Sequence, residues 1–148
     1  EALYLAKQTL EKAVAARKSE GLKAIICPET MGKINQLGTL DEVLELCTLD
    51  EEMLPCVDFG HLNARTLGGI KTIDDYSAMH VHFSKIEYTS GGERRHLTFE
   101  DTVYGPLYEP LCELFAERNL DCTVICESDG TQAEDASAMK KAYLGYLK

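Results

Sequence analysis

Four short apolar runs limit what this chain can become. They are Ala24-Ile25-Ile26-Cys27-Pro28-Glu29, Leu54-Pro55-Cys56-Val57-Asp58-Phe59-Gly60-His61, Met79-His80-Val81-His82-Phe83 and Cys122-Thr123-Val124-Ile125-Cys126-Glu127. Each is too short for a core helix, carries β-branched residues and stops abruptly, so each reads as a buried strand. Three of them deliver a carboxylate where the run stops, and the third in order carries two histidines.

Helical patterns alternate with these runs. Residues 1–20 place Leu3, Ala6, Leu10, Ala13 and Val14 on one stripe, with Lys7, Glu11, Lys12 and Arg17 off it, and Gly21 supplies the stop. A strand is expected over 22–28, then a polar loop from Thr30 to Gly38. Thr39 and Glu42 have capping-box spacing, opening a short helix through Leu40, Val43, Leu44 and Cys47. A strand over 54–59 comes next, and Asn63 to Lys71, with two adjacent glycines, reads as a loop. Only Thr72 to Ala78 then remains before Met79. A parallel crossover normally needs a dozen or more residues, so either this helix is vestigial or residues are missing between Asp75 and Met79. Tyr88 to Tyr104 reads as a long polar loop around Gly91-Gly92-Glu93-Arg94-Arg95-His96. Pro106 and Pro110 introduce a helix with Leu111, Leu114 and Phe115 on one face, closing near Asn119. After the strand 122–126, Thr131 and Glu134 suggest a second capping box, and the last helix is expected to bury Ala136, Met139, Tyr143 and Tyr146.

Strand, connection and helix repeated in this way predict an α/β protein with a parallel sheet in a single domain, 1–148. Four units make either half of an eight-unit (β/α)8 barrel or a small doubly wound parallel sheet. The start at Glu1, without Met and directly in a helical pattern, reads as a fragment.

Composition narrows the function. The 25 acids against 15 bases give a net charge of −10, which disfavours tight, non-specific binding to DNA phosphates. A local basic lip remains available from Lys85, Arg94 and Arg95. Six cysteines without a CxxC pair read as reduced core thiols, and hence as a cytoplasmic protein. No apolar run approaches membrane-spanning length.

In either architecture the carboxyl ends of parallel strands line the functional crevice, so Glu29, Asp58, a histidine from 80 or 82, and Glu127 should converge there. Three carboxylates together repel, and a divalent cation removes that conflict. Mixed Asp, Glu and His ligation suits Zn²⁺, Mn²⁺ or Fe²⁺ better than Ca²⁺, and His61 and His96 could hold a second ion. Taken singly, a strand-end Glu reads as a cap or surface acid, and an inward histidine as a satisfied core group. The recurrence over four units is what favours metal.

Cys27-Pro28-Glu29-Thr30, Asp58-Phe59-Gly60-His61, His80-Val81-His82-Phe83-Ser84-Lys85, Arg94-Arg95-His96 and Ile125-Cys126-Glu127-Ser128 together resemble the endonuclease IV-like branch of the xylose isomerase-like TIM barrels. The resemblance implies the C-terminal half of a barrel, with four earlier strands elsewhere, two of them bearing histidine ligands. It implies that Glu29 bridges two metals, zinc first, and that Asp58, His80 and Glu127 complete one ion, with His82 the alternative to His80 in a shifted register. His61 and His96 would serve another ion, which in the DNA-repair enzymes also takes an Asp two residues before the second His. Here that position is Arg94, which sets the third metal, and the full abasic-site chemistry with it, against the resemblance.

The function expected first is metal-dependent hydrolysis of phosphodiesters at abasic sites in DNA, with Glu29 or Glu127 orienting the nucleophile. A sugar isomerase or epimerase is the alternative, favoured by the acidic charge and Arg94. A half-barrel with an assembly role comes third: its open strand edges should pair with the missing half or with a second copy.

Overall fold

The computed structural model describes residues 1–70 and 80–147. The link from Thr72 to Ala78, and the expectation of missing residues between Asp75 and Met79, lie outside the described residues. Helix α1 spans Ala2–Ser19 and α2 Leu40–Cys47. Strand β1, Cys56–Asp58, runs straight into α3, Phe59–Arg65. Then come β2 (His80–Phe83), β3 (Lys85–Thr89), β4 (Gly92–Leu97), α4 (Glu109–Glu117), β5 (Thr123–Cys126) and α5 (Gln132–Tyr146).

Strands β1, β2 and β5 form a parallel sheet in that order, and β3 and β4 form a separate antiparallel hairpin. Val57, Val81, Phe83 and Cys126 lie in one core with Leu111, Cys112, Leu114 and Phe115 of α4 and Met139 of α5. The neighbouring strand positions, Cys56, Asp58, His80 and His82, therefore point to the opposite face, because side chains alternate along a strand. Strand order follows chain order without reversal. A doubly wound sheet needs a reversal at its switch point, so the barrel-type arrangement is the one this sheet supports.

Several expectations require correction. Residues 22–28 form no strand; they run beside β1 through Leu54 N–H to Ile26 O (3.3 Å), Cys56 N–H to Pro28 O (2.8 Å) and Thr30 N–H to Cys56 O (3.1 Å), with a parallel bridge at Glu29–Cys56. The rung missing from this ladder is the one Pro28 would donate, and proline has no N–H. Arg17, expected on the solvent side, is buried: its guanidinium donates to Ala24 O (3.1 Å), Asp50 Oδ1 (3.1 Å) and Glu52 Oε2 (2.5 Å), tying α1 to the chain on both sides of α2. Tyr146 is exposed, whereas Ala136 and Tyr143 pack at the core's edge around buried Met139.

The two capping boxes fare differently. At α2 both bonds form, Glu42 N–H to Thr39 Oγ1 (3.2 Å) and Thr39 N–H to Glu42 Oε2 (2.8 Å). At α5 neither forms, because Thr131 Oγ1 bonds Asp135 Oδ2 (3.0 Å), which also accepts the Phe99 N–H (3.0 Å). The Thr131 hydroxyl is engaged by Asp135, one residue past the expected partner Glu134.

Two stretches read as loop are ordered elements. Asn63 to Arg65 belongs to α3, whose N-cap is Asp58. The Tyr88–Tyr104 stretch contains most of the β3–β4 hairpin, closed by a Ser90-Gly91 turn. It lacked an apolar alternation because its cross-strand partners are charged: Glu87 accepts from both Arg94 and Arg95 (2.6 Å for Arg95 Nε). Hydrogen bonding to Arg95 first, and then Arg94, holds the Glu87 carboxyl below its usual range.

Candidate metal centre

Asp58 ends β1 and at once caps α3. Its Oδ1 accepts the His61 N–H at 2.6 Å, while its backbone is clasped by Thr30, whose Oγ1 accepts from Asp58 N (2.9 Å) and donates to Asp58 O (3.3 Å). The carboxylate is wholly buried, and Oδ2 has no hydrogen-bond partner among the described residues. Burial pushes its carboxyl above the ordinary value of 3.8; His61 opposes the shift, and Glu127 and Glu29 add to it.

Gly60 explains how α3 can sit so close. A Cβ there would lie 2.6 Å from Ser84 O and 2.9 Å from Ile86 Cγ1. A glycine-to-alanine change inside a helix usually stabilises by about 1 kcal/mol. At Gly60 the sign should reverse, to a loss of about 1–3 kcal/mol from overpacking. Urea denaturation of Gly60→Ala checks this; a stabilised variant would contradict the packing.

The parallel register places Asp58 beside His82. Glu29, Asp58, His82 and Glu127 each bring a ligand atom into one group no wider than 4.8 Å, with His82 Nδ1 3.2 Å from both Glu29 Oε1 and Glu127 Oε1. Of the two β2 histidines, His82 therefore stands among the carboxylates. His80 lies one pleat further back, grouped with Cys56 and His82. Glu127 is held by its N–H to Phe83 O (3.0 Å), so β2 carries both flanks of the cluster.

A second group adjoins the first. His61 and His96 meet edge to face at 5.4 Å between ring centroids, and Glu127 completes a ligand group with them. His61 Nδ1 lies 2.9 Å from Thr30 O. A carbonyl only accepts, so Nδ1 carries the hydrogen and a neutral His61 presents the lone pair of Nε2. That atom lies 3.6 Å from Glu93 Oε2, a buried oxygen with no hydrogen-bond partner among the described residues. His96 Nδ1 is paired with Ser84 Oγ at 2.8 Å.

Glu93 is the site residue that the sequence reading missed. Between Glu87–Arg95 and Tyr88–Glu93 the hairpin register shifts by one residue, which makes Arg94 the extra residue of a β-bulge. Arg94 and Arg95 then share one face, both on Glu87, and Glu93 joins His96 on the other. The position expected to supply an acid holds Arg94, but the bulge brings an acid from the residue before it. Gly92 makes this possible: its φ is +91°, and a Cβ there would meet Gly32 O at 2.3 Å. Arg65, one helical turn beyond His61, holds the facing loop by donating to the carbonyls of Met31, Lys33, Ile34 and Gln36 at 2.8–3.2 Å.

This donor set fits divalent cations. Acids and imidazoles converge, and two buried carboxylate oxygens, of Asp58 and Glu93, have no donor among the described residues, a role a cation would fill. The cysteines are all free thiols, and burial, with Glu29 and Asp58 adding, pushes Cys56 up to about 12. Among the described residues no helix is long and apolar enough to cross a membrane.

Comparison with known proteins agrees with the sheet. An uncharacterized protein of Methanocaldococcus jannaschii is 33% identical over 156 residues, covering 93% of this chain, which itself spans 55% of that relative's length. No solved structure matches the chain. The family model of the xylose isomerase-like TIM barrels matches residues 1–144. With its parallel βα units and strand-end ligands, the chain belongs to the xylose isomerase-like TIM barrel family.

Proposed function

We propose that this chain carries the catalytic cation sites of a metal-dependent phosphodiester hydrolase of the endonuclease IV-like kind. The observation that carries the reading is Glu93 Oε2, buried without a hydrogen-bond donor among the described residues and 3.6 Å from His61 Nε2. It supplies an acid to the His61–His96 group, where Arg94 had counted against the hydrolase. One cation would be held by Glu29, Asp58, His82 and Glu127, and another by His61, His96 and Glu93. When bound, such ions supply Lewis acidity toward a phosphodiester oxygen and acidify a water toward neutrality, zinc being the first choice by donor set.

The chain's own groups divide the remaining work. Asp58 is sealed from solvent and serves to hold charge. Glu29 and Glu127 are each about one-third exposed at the side chain, so they can reach an entering water and take its proton. The Thr30 carbonyl fixes the His61 ring so that Nε2 points toward Glu93.

A sugar isomerase or epimerase is the second reading, and one observation favours it. Both arginines of the hairpin are already engaged by Glu87 on a chain of net charge −10, which leaves little free basic surface for DNA. The full-length protein, loaded with Zn²⁺ or Mn²⁺, decides between them. Metal-dependent cleavage of an abasic-site oligonucleotide, lost in Glu29→Gln, is the expected result; aldose–ketose conversion without cleavage would reverse the order.

A further inference from the structure

Behind the carboxylate cluster, on the same sheet face, lies a group of different chemistry. Cys56 and His80 are direct register partners on adjacent parallel strands, and His82 follows His80 on the same side of β2. A sulfur and two ring nitrogens from Cys56, His80 and His82 lie within 4.8 Å of one another, and the two rings meet at 5.5 Å between centroids. Among the described residues neither the Cys56 sulfur nor the His80 ring has a hydrogen-bond partner. Thr123 and Ile125 are the β5 partners of His80 and His82 on this face.

We propose that Cys56, His80 and His82 form a further binding site, adjoining the carboxylate cluster through His82, for a thiophilic divalent cation, Zn²⁺ in preference to Mn²⁺ or Mg²⁺. One thiolate and two imidazoles are a donor set that prefers zinc and cobalt over Mn²⁺ and Mg²⁺, because thiolate and imidazole are softer donors than carboxylate. Three protein donors leave a fourth tetrahedral position toward the open face. Binding displaces the thiol proton to solvent as the cation–sulfur bond forms, with no change of oxidation state. The two clusters share His82, and of the two only this one offers sulfur, so a thiolate signature distinguishes it.

Co²⁺ titration of the intact protein tests the site without reference to activity. Thiolate ligation should give a near-ultraviolet charge-transfer band that Zn²⁺ displaces and excess Mg²⁺ does not. The band should vanish in Cys56→Ser and in His80→Gln, and survive in Glu29→Gln and Cys27→Ser. Circular dichroism reports whether each variant is folded, and half-exposed His80 gives a variant independent of the buried sulfur. X-ray absorption of the zinc-loaded wild type should then show sulfur among the nearest neighbours. Absence of the band in the wild type, its persistence in folded Cys56→Ser or His80→Gln, or a zinc environment of nitrogen and oxygen alone would overturn the proposal. Loss of abasic-site cleavage with the band intact would instead count against the hydrolase reading and leave this site standing.

Discussion

Asp58→Asn should move stability in opposite directions with and without a divalent cation. In the cation-free protein the buried carboxylate is a liability: burial raises its folded-state value above the ordinary 3.8. A group raised on folding contributes stability that is complete below its unfolded value and is lost as pH rises through the folded one. Wild-type stability should therefore fall with rising pH over that interval, and the Asn variant should lack the fall. At neutral pH the variant should be about 1–3 kcal/mol more stable, since an uncompensated buried charge is replaced by a neutral amide that still caps α3 through the His61 N–H. Added Zn²⁺ acts in the opposite sense, favouring the wild type. A cation at 100 times its dissociation constant stabilises the wild type by about 2.7 kcal/mol. Removing a ligand should weaken affinity on the order of 100-fold or more, as changes to groups that merely orient ligands already weaken it about 10–100-fold. Thermal melts across pH, with and without Zn²⁺, check both halves; a destabilised cation-free Asn variant would show that Asp58 serves the fold rather than a cation.

The second large effect belongs to Phe83→Ala, expected to destabilise by about 3–5 kcal/mol. Phe83 is completely buried, its ring edge-to-face with Phe99 at 5.7 Å, and Phe99 in turn stacks on Tyr108 at 4.7 Å. Truncation opens a cavity between the sheet and α4 and removes the first member of this aromatic chain. Against a typical total of about 5–15 kcal/mol, that is enough to threaten the fold. Phe83→Leu should cost only about 1 kcal/mol, because it keeps most of the volume. The side chain faces away from the metal centre, yet its residue neighbours His82 and its carbonyl accepts from Glu127 N. Cation affinity should therefore fall along with stability in Phe83→Ala. Urea denaturation and Zn²⁺ titration of both variants measure the two effects; unchanged affinity in a destabilised Ala variant would uncouple the core from the site.

How much was legible without the fold varies with the range of the interaction involved. The α2 capping box needs only Thr39 and Glu42 in register, and it forms as read. The box expected at α5 between Thr131 and Glu134 fails because the Thr131 hydroxyl donates instead to Asp135, a carboxylate that also accepts from the Phe99 N–H, 36 residues away. Pro28 was visible in the first of the strand runs, and its missing N–H accounts for the broken ladder beside β1. Arg17 could not be placed by periodicity, because its burial depends on Asp50 and Glu52 across α2.

By itself the sequence determined the alternation of strands and helices, the parallel sheet, and the presence of acids and histidines where strands stop. These follow from side-chain periodicity and local backbone chemistry, which act over a few residues. Only the tertiary structure decided that His82 rather than His80 stands among the carboxylates, because strand register depends on which neighbour pairs with which. It alone decided that Glu93 faces His61, because Arg94, the bulged residue of β4 opposite Glu87 and Tyr88, exchanges the two faces of that strand. A one-residue shift leaves composition and spacing untouched while reversing which side chains meet the site.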